Sequence, residues 1–218
     1  MKIFDLSQPI FNACPGWPSY EITDITYETT LGNEGYTSER ININSHTGTH
    51  LDAPFHFYVD GQTIDEIPIE RFIGRGVVVD LSKDIKPCQP IGPKELDPFL
   101  GIIQADDIIL INTGWCKKRS VGPVYYHEWP YLTGEGGELL KDRRVKGVGI
   151  DGLSLGGWAE GTGRPVHEAL LGNGIWIAEE MFFPDEFLAY STCTVSAVPL
   201  RLQGFGGSPT RAYAVVED

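Results

Sequence analysis

The most informative stretch of this chain is residues 46–56, which read His46-Thr47-Gly48-Thr49-His50-Leu51-Asp52-Ala53-Pro54-Phe55-His56. Three of the five histidines in the 218-residue sequence lie in this window, with an aspartate between the last two. Isolated histidines are common in protein cores and on surfaces, but such a local density is hard to reach by chance. Imidazole and carboxylate are the ligands that suit zinc, manganese and iron. The stretch therefore predicts a metal site.

The spacing within this stretch indicates how its side chains meet. Gly48 permits backbone conformations that other residues resist, so a continuous helix across the motif is not expected. In an extended segment His50 and Asp52 would share one side, and His46 could reach the same point through a turn at Gly48. His56 follows Asp52 by four residues, which suits an acid or base that lies beside the metal without binding it.

Short apolar runs rich in β-branched residues recur along the chain, each bounded by Gly, Pro, Asn or Asp. They are too short for typical helices and predict strands. The predicted strands are residues 21–29, 77–81, 108–112, 145–150, 175–178 and 192–202. Helices are predicted at 93–96, 133–143 and 165–171 from their Pro, Thr and Gly boundary signals. With 26 glycines and 15 prolines, the sequence predicts a β-rich α+β domain with many tight turns.

Length and composition favour one ordinary globular domain over residues 1–218. Seventeen Lys and Arg against 30 Asp and Glu give a net charge of −13. Such a charge repels phosphate backbones and anionic lipids, so neither nucleic acid nor a membrane surface is an expected partner. Asp5 interrupts the start of the chain, so no signal peptide is expected. Four widely spaced cysteines without a C-x-x-C pair favour reduced thiols and a cytoplasmic protein.

Residues 46–56 resemble the H-x-G-T-H-x-D-x-P-x-H motif of the cyclase-like metal-dependent hydrolases, a family that includes bacterial kynurenine formamidase and isatin hydrolase. Every fixed position of the motif is matched. Residues 5–10 resemble the family's opening strand, and Pro15-Gly16 its early turn. Residues 149–151 with Ser154 resemble its G-x-D-x-x-S strand end. His167 and Glu179, twelve residues apart, resemble its second metal-binding pair.

The resemblance implies a metal centre, a catalytic acid/base and a fold. The implied ligands of one or two divalent ions, zinc or manganese, are His46, His50, Asp52, His167 and Glu179. The implied acid/base is His56. The implied fold is an α+β, swivelling β/β/α-type domain with a β-barrel-like core and peripheral helices. The resemblance also implies a homo-oligomer, either a dimer or a tetramer.

Glu180 lies next to Glu179 in the sequence and leaves the register of the second pair open. The strand predicted over residues 175–178 would place the two carboxylates on opposite faces. Only one of them is therefore expected to point into the site. The alternative for either residue is an ordinary surface charge.

Hydrolysis of a small amide is the reaction that these residues predict. A divalent ion polarises a carbonyl and lowers the pKa of its water toward about 7, while His56 would pass a proton from the attacking water to the leaving nitrogen. The resemblance implies an arylformamide such as N-formylkynurenine as the substrate, with an isatin-like cyclic amide as the alternative. The aromatic residues expected to line the substrate pocket are Trp17, Tyr20 and Phe57, with Tyr58 and Trp158 as further candidates.

Three other hypotheses fit parts of the sequence. His50, Asp52 and His167 follow the ligand order of a non-haem iron oxygenase, although this leaves the other candidate ligands idle. The stretch Gly152-Leu153-Ser154-Leu155-Gly156 matches the G-x-S-x-G nucleophile elbow, but the next histidine follows too closely for that fold. A metal-binding module without catalytic activity is the third hypothesis. His127 has no partner in the motif and is interpreted as a loop or surface residue.

Overall fold

A computed structural model describes residues 1–217 of the chain. Its strands are β1 (Lys2–Asp5), β2 (Asp24–Thr29), β3 (Ser38–Asn42), β4 (His50–Asp52), β5 (Ile73–Asp80), β6 (Pro90–Ile91), β7 (Ile108–Asn112), β8 (Tyr131–Leu132), β9 (Gly147–Ile150), β10 (Trp176–Glu179), β11 (Thr192–Ser196), β12 (Gly207–Pro209) and β13 (Tyr213–Val216). Its α-helices are α1 (Leu31–Glu34), α2 (Pro93–Leu96), α3 (Pro123–His127), α4 (Gly134–Asp142) and α5 (Arg164–Leu171). Short 3-10 helices include Pro54–His56.

One nine-stranded sheet organises the molecule, in the order β1-β13-β11-β5-β7-β9-β10-β4-β12. Its centre, β5-β7-β9-β10, is parallel, and the strands on both sides pair antiparallel. The sheet curls into a half-barrel with few helices, which confirms the predicted α+β class and the barrel-like core. β4 lies next to the parallel centre, so the motif stretch is anchored in the main sheet.

Both faces of the parallel centre are buried, and this explains its continuous apolar runs. Successive side chains of β5 alternate between two cores. Val78 joins the core that contains Phe4 and Trp176. Val77 and Val79 join the other core, which contains Val166 of α5. The helices α2, α4 and α5 therefore cover one face of the sheet, and α5 packs against β10.

The predicted helices are confirmed with small changes at their ends. Thr133 caps α4, because its side-chain oxygen accepts a hydrogen bond from the Gly136 amide. α5 begins at Arg164, one residue before the predicted start, and Gly172 follows its last residue. α2 matches its predicted bounds and has Pro93 in its first turn.

Several strand predictions were wrong in extent; β2 begins three residues later than predicted and β5 begins four residues earlier. The strand predicted over 192–202 ends at Ser196, because the chain then leaves the ladder and Pro199, which has no N–H, cannot continue it. The opening strand expected at residues 5–10 lies earlier, at Lys2–Asp5. Beyond Asp5 the chain turns away from β13 and forms a single bridge to Met181, just after β10.

β2 and β3 form a separate two-stranded hairpin outside the main sheet. Most of its residues are exposed, including Tyr27 at 68% and Ile41 at 59%. Throughout residues 1–217, no helix has the length and apolar character needed to cross a membrane. The four cysteines are free thiols, as predicted.

Candidate metal and active site

The motif stretch forms a turn followed by a short strand, and this brings its first histidine back to its aspartate. Gly48 has a positive φ of 64°, the conformation that the sequence predicted for this position. His50 and Asp52 then occupy β4, two residues apart on one side of the strand. The His46 Nδ1 lies 2.7 Å from Asp52 Oδ1, so the turn closes as predicted.

Two histidines from different elements share one arrangement. His50 Nδ1 lies 2.7 Å from the Gly48 carbonyl, and His167 Nδ1 lies 2.9 Å from the Gly163 carbonyl. An imidazole that donates from Nδ1 to a carbonyl leaves Nε2 with a free lone pair. Both Nε2 atoms face Glu179, at 3.4 Å and 3.2 Å respectively. Each ring is thus oriented by the backbone as a metal ligand is.

Glu179 ends β10 and is held from one side by the loop after β9. Its Oε1 accepts hydrogen bonds from the Ser154 hydroxyl at 2.9 Å and from the Leu155 amide at 2.6 Å. The register of β10 against β4 places Glu179 opposite His50. The strand pairing therefore positions the carboxylate, and the loop fixes its rotamer.

Two groups of potential metal ligands meet in this site. Within each group the ligand atoms lie within 4.8 Å of one another, and Asp52 belongs to both. The first group is His46, His50 and Asp52, and the second is Asp52, His167 and Glu179.

The buried polar atoms of the site fit a cation. Asp52 Oδ2 and His50 Nε2 are buried and have no hydrogen-bond partner among the described residues, which is costly unless another ligand satisfies them. Burial lowers the pKa of His50, but Glu179 and Asp52 raise it by more, to about 9. The carboxylates thus draw positive charge to this point, and the donor set suits a divalent ion.

His56 lies beside these groups without belonging to either of them. It ends the 3-10 helix Pro54–His56, and its ring centre is 4.1 Å from that of His46. The ring has no hydrogen bond to any residue that the structure describes. Burial lowers the pKa of His56 below its usual value. A neutral imidazole with unoccupied nitrogens can exchange protons with a bound molecule.

A cavity of about 430 Å³ opens above this site. Trp17, Tyr20 and Phe57, the residues predicted to line a substrate pocket, are among its lining residues, and Trp158 lines it too. Tyr58 was wrongly expected there: it lies outside the cavity lining, and its hydroxyl donates to the Glu168 carbonyl instead. The cavity therefore combines ligand-type side chains at its floor with an aromatic wall.

His127 differs from its prediction as a loop or surface residue. It is half-buried at the end of α3. Its ring centre lies 4.4 Å from that of Trp158, so it packs against a residue of the cavity wall without lining the cavity itself. The aromatic pair Trp17 and Trp158 lies at 5.4 Å on the cavity side.

Glu180 lies on the opposite face from Glu179, but it is not a surface charge. It is 1% exposed and has a φ of 51°, a conformation that non-glycine residues rarely adopt. Its Oε1 accepts from Arg119 Nε at 3.0 Å and from the Tyr125 hydroxyl at 2.6 Å. Its carbonyl accepts from the Thr49 hydroxyl at 2.6 Å. These bonds fix the backbone that follows Glu179 and tie it to the motif turn.

Two site features escaped the sequence reasoning. Gly206 and Gly207 pack against the motif: a Cβ at Gly206 would lie 3.0 Å from His56 Cα, and one at Gly207 would lie 2.5 Å from His46 Cε1. No local pattern distinguishes these glycines from turn residues. Arg164, at the start of α5, lines the cavity, and its signal would have been its position three residues before His167.

The structure does not support the nucleophile elbow at residues 152–156. A catalytic serine needs a histidine base within hydrogen-bond reach, whereas the Ser154 hydroxyl donates to the carboxylate of Glu179. Ser154 lies in the loop that follows β9, four residues after the strand ends at Ile150. An oxygenase triad of His50, Asp52 and His167 would leave Glu179 unused in the same cluster.

Known proteins similar to this chain include a kynurenine formamidase, an isatin hydrolase and a predicted metal-dependent hydrolase. A kynurenine formamidase of Bacillus cereus is 29% identical over 213 residues, 95% of this chain and 94% of the relative. Isatin hydrolase A from Labrenzia aggregata, solved with benzyl benzoate bound, has a TM-score of 0.88 at 26% identity and covers 99% of this chain and 94% of its own. A predicted metal-dependent hydrolase from Bacillus stearothermophilus has a TM-score of 0.81 at 27% identity, and the match covers 98% of this chain and 97% of that chain.

A family model described as a putative cyclase matches residues 4–156. The match contains the motif stretch and Ser154, and it ends before His167 and Glu179. Those two residues are brought to the site by α5 and β10, which pack directly against the matched part. The chain belongs to the putative cyclase family.

Proposed function

We propose that this protein is a metal-dependent amidohydrolase that cleaves a small arylformamide, with N-formylkynurenine as the best single substrate. The observation that carries the proposal is that two groups of His and carboxylate side chains share Asp52 at the floor of an aromatic cavity. His56 lies beside them. The relative named kynurenine formamidase, aligned over 95% of this chain, supports the same reaction class.

The five clustered side chains would hold the metal. Asp52 belongs to both ligand groups, which favours two ions over one, and the mixture of imidazoles and carboxylates suits zinc or manganese. A bound divalent ion would supply Lewis acidity, which polarises the amide carbonyl and makes water acidic enough to attack at neutral pH. The ligands proposed here are His46, His50, Asp52, His167 and Glu179.

Side chains of the protein would transfer the proton and bind the aryl ring of the substrate. His56 would accept the proton of the attacking water at a ring nitrogen and return it to the leaving aryl nitrogen, so that formate and a free arylamine result. Trp17 and Tyr20 would hold the aryl ring against the cavity wall. Phe57 stacks on His167 with ring centres 4.7 Å apart and planes 11° from parallel, which fixes both the wall and the proposed ligand.

A cyclic amide such as isatin is the second candidate substrate. The structural similarity to isatin hydrolase A across 99% of this chain favours it, and its fused rings would fit the same aromatic wall. The two substrates differ in where the leaving nitrogen goes. It departs with the arylamine from a formamide, and it stays tethered to the product when a lactam opens.

The test is hydrolysis of N-formylkynurenine and of isatin, followed by absorbance, on protein loaded separately with zinc and manganese. We expect kcat/KM for the formamide above about 10⁴ M⁻¹s⁻¹, the lower range of ordinary enzymes. A higher value for isatin would reassign the substrate while keeping the reaction class. Absence of hydrolysis of either compound and of other small amides, with metal demonstrably bound, would favour the module without catalytic activity.

We further propose that residues 1–218 act as one domain and assemble as a homo-oligomer. The hairpin of β2 and β3 supports the assembly, because its apolar side chains Tyr27 and Ile41 are largely exposed. Light scattering should give a mass of two or four chains, and Tyr27→Glu with Ile41→Glu should reduce it. Free thiols at all four cysteines are consistent with a cytoplasmic location.

A further inference from the structure

Arg164 is the only lysine or arginine among the described residues that line the cavity. It is the first residue of α5, and its side chain is 70% exposed at the cavity mouth. The chain as a whole carries a net charge of −13, which repels anionic small molecules. The guanidinium of Arg164 therefore places a positive charge at the mouth of the cavity in a protein whose net charge is negative.

A stacked column joins Arg164 to the proposed metal ligands. The guanidinium carbon lies 5.9 Å from the centre of the Phe57 ring, and Phe57 in turn stacks on His167. Phe57 thus contacts both the cation and one of the proposed ligands. Arg164 and the proposed ligand His167 are three residues apart on α5, about one helical turn, so a group that binds Arg164 would lie close to an amide held at the floor of the cavity.

The stability of α5 does not explain an arginine at this position. The amino end of a helix carries the positive end of its dipole, so a cation there is unfavourable. Arg164 donates from Nε to Glu168 Oε1 at 2.6 Å, but an Arg that precedes Glu by four residues has the less favourable orientation of such a pair. Exposed pairs of this type add little to stability.

The guanidinium also has donors to spare. Within the part of the chain that the structure describes, Glu168 is its only hydrogen-bond partner, and only Nε is used. The two terminal nitrogens form a planar fork that matches a carboxylate with two parallel hydrogen bonds. Phe57 below the fork limits its orientation.

We propose that Arg164 binds a carboxylate on the substrate, which makes this enzyme selective for arylformamides that carry a carboxylate over those that lack one. The inference rests on the proposed function and extends it to the substrate class. N-formylkynurenine fits, because its amino-acid tail carries a carboxylate beyond the aryl ring. Arg164 takes no part in bond cleavage; it holds the substrate with the amide toward the floor of the cavity.

The experiment compares matched substrates on matched variants. The substrates are N-formylkynurenine, its carboxamide, in which an uncharged amide replaces the carboxylate and the ammonium is kept, and formanilide, which has no tail. The variants are Arg164→Gln, Arg164→Lys and, as a control, Arg143→Gln, an exposed arginine outside the cavity lining. We expect Arg164→Gln to lower kcat/KM for N-formylkynurenine about tenfold, mainly through KM, as for loss of a hydrogen bond to a charged group.

The same variant should change kcat/KM for the carboxamide and for formanilide by less than twofold. Arg164→Lys should retain part of the preference, and Arg143→Gln should retain all of it. An equal loss on all three substrates, or no loss on any of them, would overturn the role of Arg164 while the hydrolase stands. If the wild-type protein hydrolyses no arylformamide at all, the proposed function itself fails, and this inference fails with it.

Discussion

Two imidazoles in contact have different surroundings, and this separates their proposed roles. His46 is paired with Asp52 at 2.7 Å, whereas His56, whose ring centre is 4.1 Å away, has no hydrogen bond to a described residue. A ligand needs a fixed ring and a second partner that orients it. A proton carrier needs an unpaired nitrogen that faces the substrate. The two neighbouring histidines are thus assigned different roles because their hydrogen-bond partners differ.

We predict that His56→Ala abolishes turnover but leaves the metal bound. Loss of an acid/base typically costs between about 10² and 10⁴ in rate, while both ligand groups remain intact. The measurement is kcat/KM for N-formylkynurenine together with metal content by mass spectrometry. His127→Ala serves as the matched control, since it removes a half-buried imidazole outside the ligand groups, and its activity should stay within a few-fold. Full activity of His56→Ala would refute the acid/base role.

At the scale of elements, the site depends on the turn that leads into β4. Gly48 has a φ of 64°, and a Cβ there would lie 2.9 Å from Ile10 Cγ1. The same residue offers its carbonyl to His50 Nδ1. Backbone conformation, packing and ligand orientation thus all depend on one position. A side chain at Gly48 would disturb the three together.

Gly48→Ala should lower the free energy of unfolding by about 1–3 kcal/mol, the usual range for a strained backbone position, and should weaken metal binding. Urea denaturation and metal titration would measure the two effects. The control is Gly101→Ala, where the added Cβ meets nothing within 4 Å and φ is not positive. Its stability should change by less than about 0.5 kcal/mol. Equal effects of the two substitutions would contradict the role of the turn.

The apolar strands of the parallel centre were predicted well from the sequence. β7 has its predicted bounds, because burial on both faces imposes an uninterrupted hydrophobic pattern. β4 and β12 were missed, since the short sequences His50-Leu51-Asp52 and Gly207-Ser208-Pro209 carry no such pattern. The strands β3, β6, β8 and β13 were missed as well, although β13 is apolar in sequence. Their pairing is a property of the whole sheet. The apolar pattern reveals a strand only where burial is its main requirement.

The same limit applies to the site. The motif residues were recognisable because they lie close together in the sequence. The environment of Glu180 was not, because Arg119 and Tyr125 come from segments 61 and 55 residues away. Burial and the charge of Glu180 raise the pKa of Tyr125 well above its usual value. The hydroxyl therefore stays protonated and donates a hydrogen bond to Glu180. A long-range contact of this kind leaves no local signal.

At the scale of the whole molecule, the proposed metal links parts of the chain that are distant in sequence. Its ligands come from the turn before β4, from β4, from α5 and from β10. Without a cation, Asp52 Oδ2 and His50 Nε2 stay buried and unpaired, which disfavours the folded state. The metal should therefore contribute to global stability as well as to catalysis.

We predict that removing the metal with a chelator lowers the melting temperature by about 5–10 °C. Binding only to the folded state at a hundredfold excess over Kd adds about 2.7 kcal/mol, and each kcal/mol shifts a chain of this size by about 2–4 °C. Asp52→Asn should abolish the response, because Asp52 belongs to both ligand groups, whereas His127→Ala should retain it. Calorimetry with and without chelator measures both. A wild-type melting temperature that is unchanged after complete loss of metal would mean that the folded apo site tolerates its buried carboxylates, and that the cation serves the reaction alone.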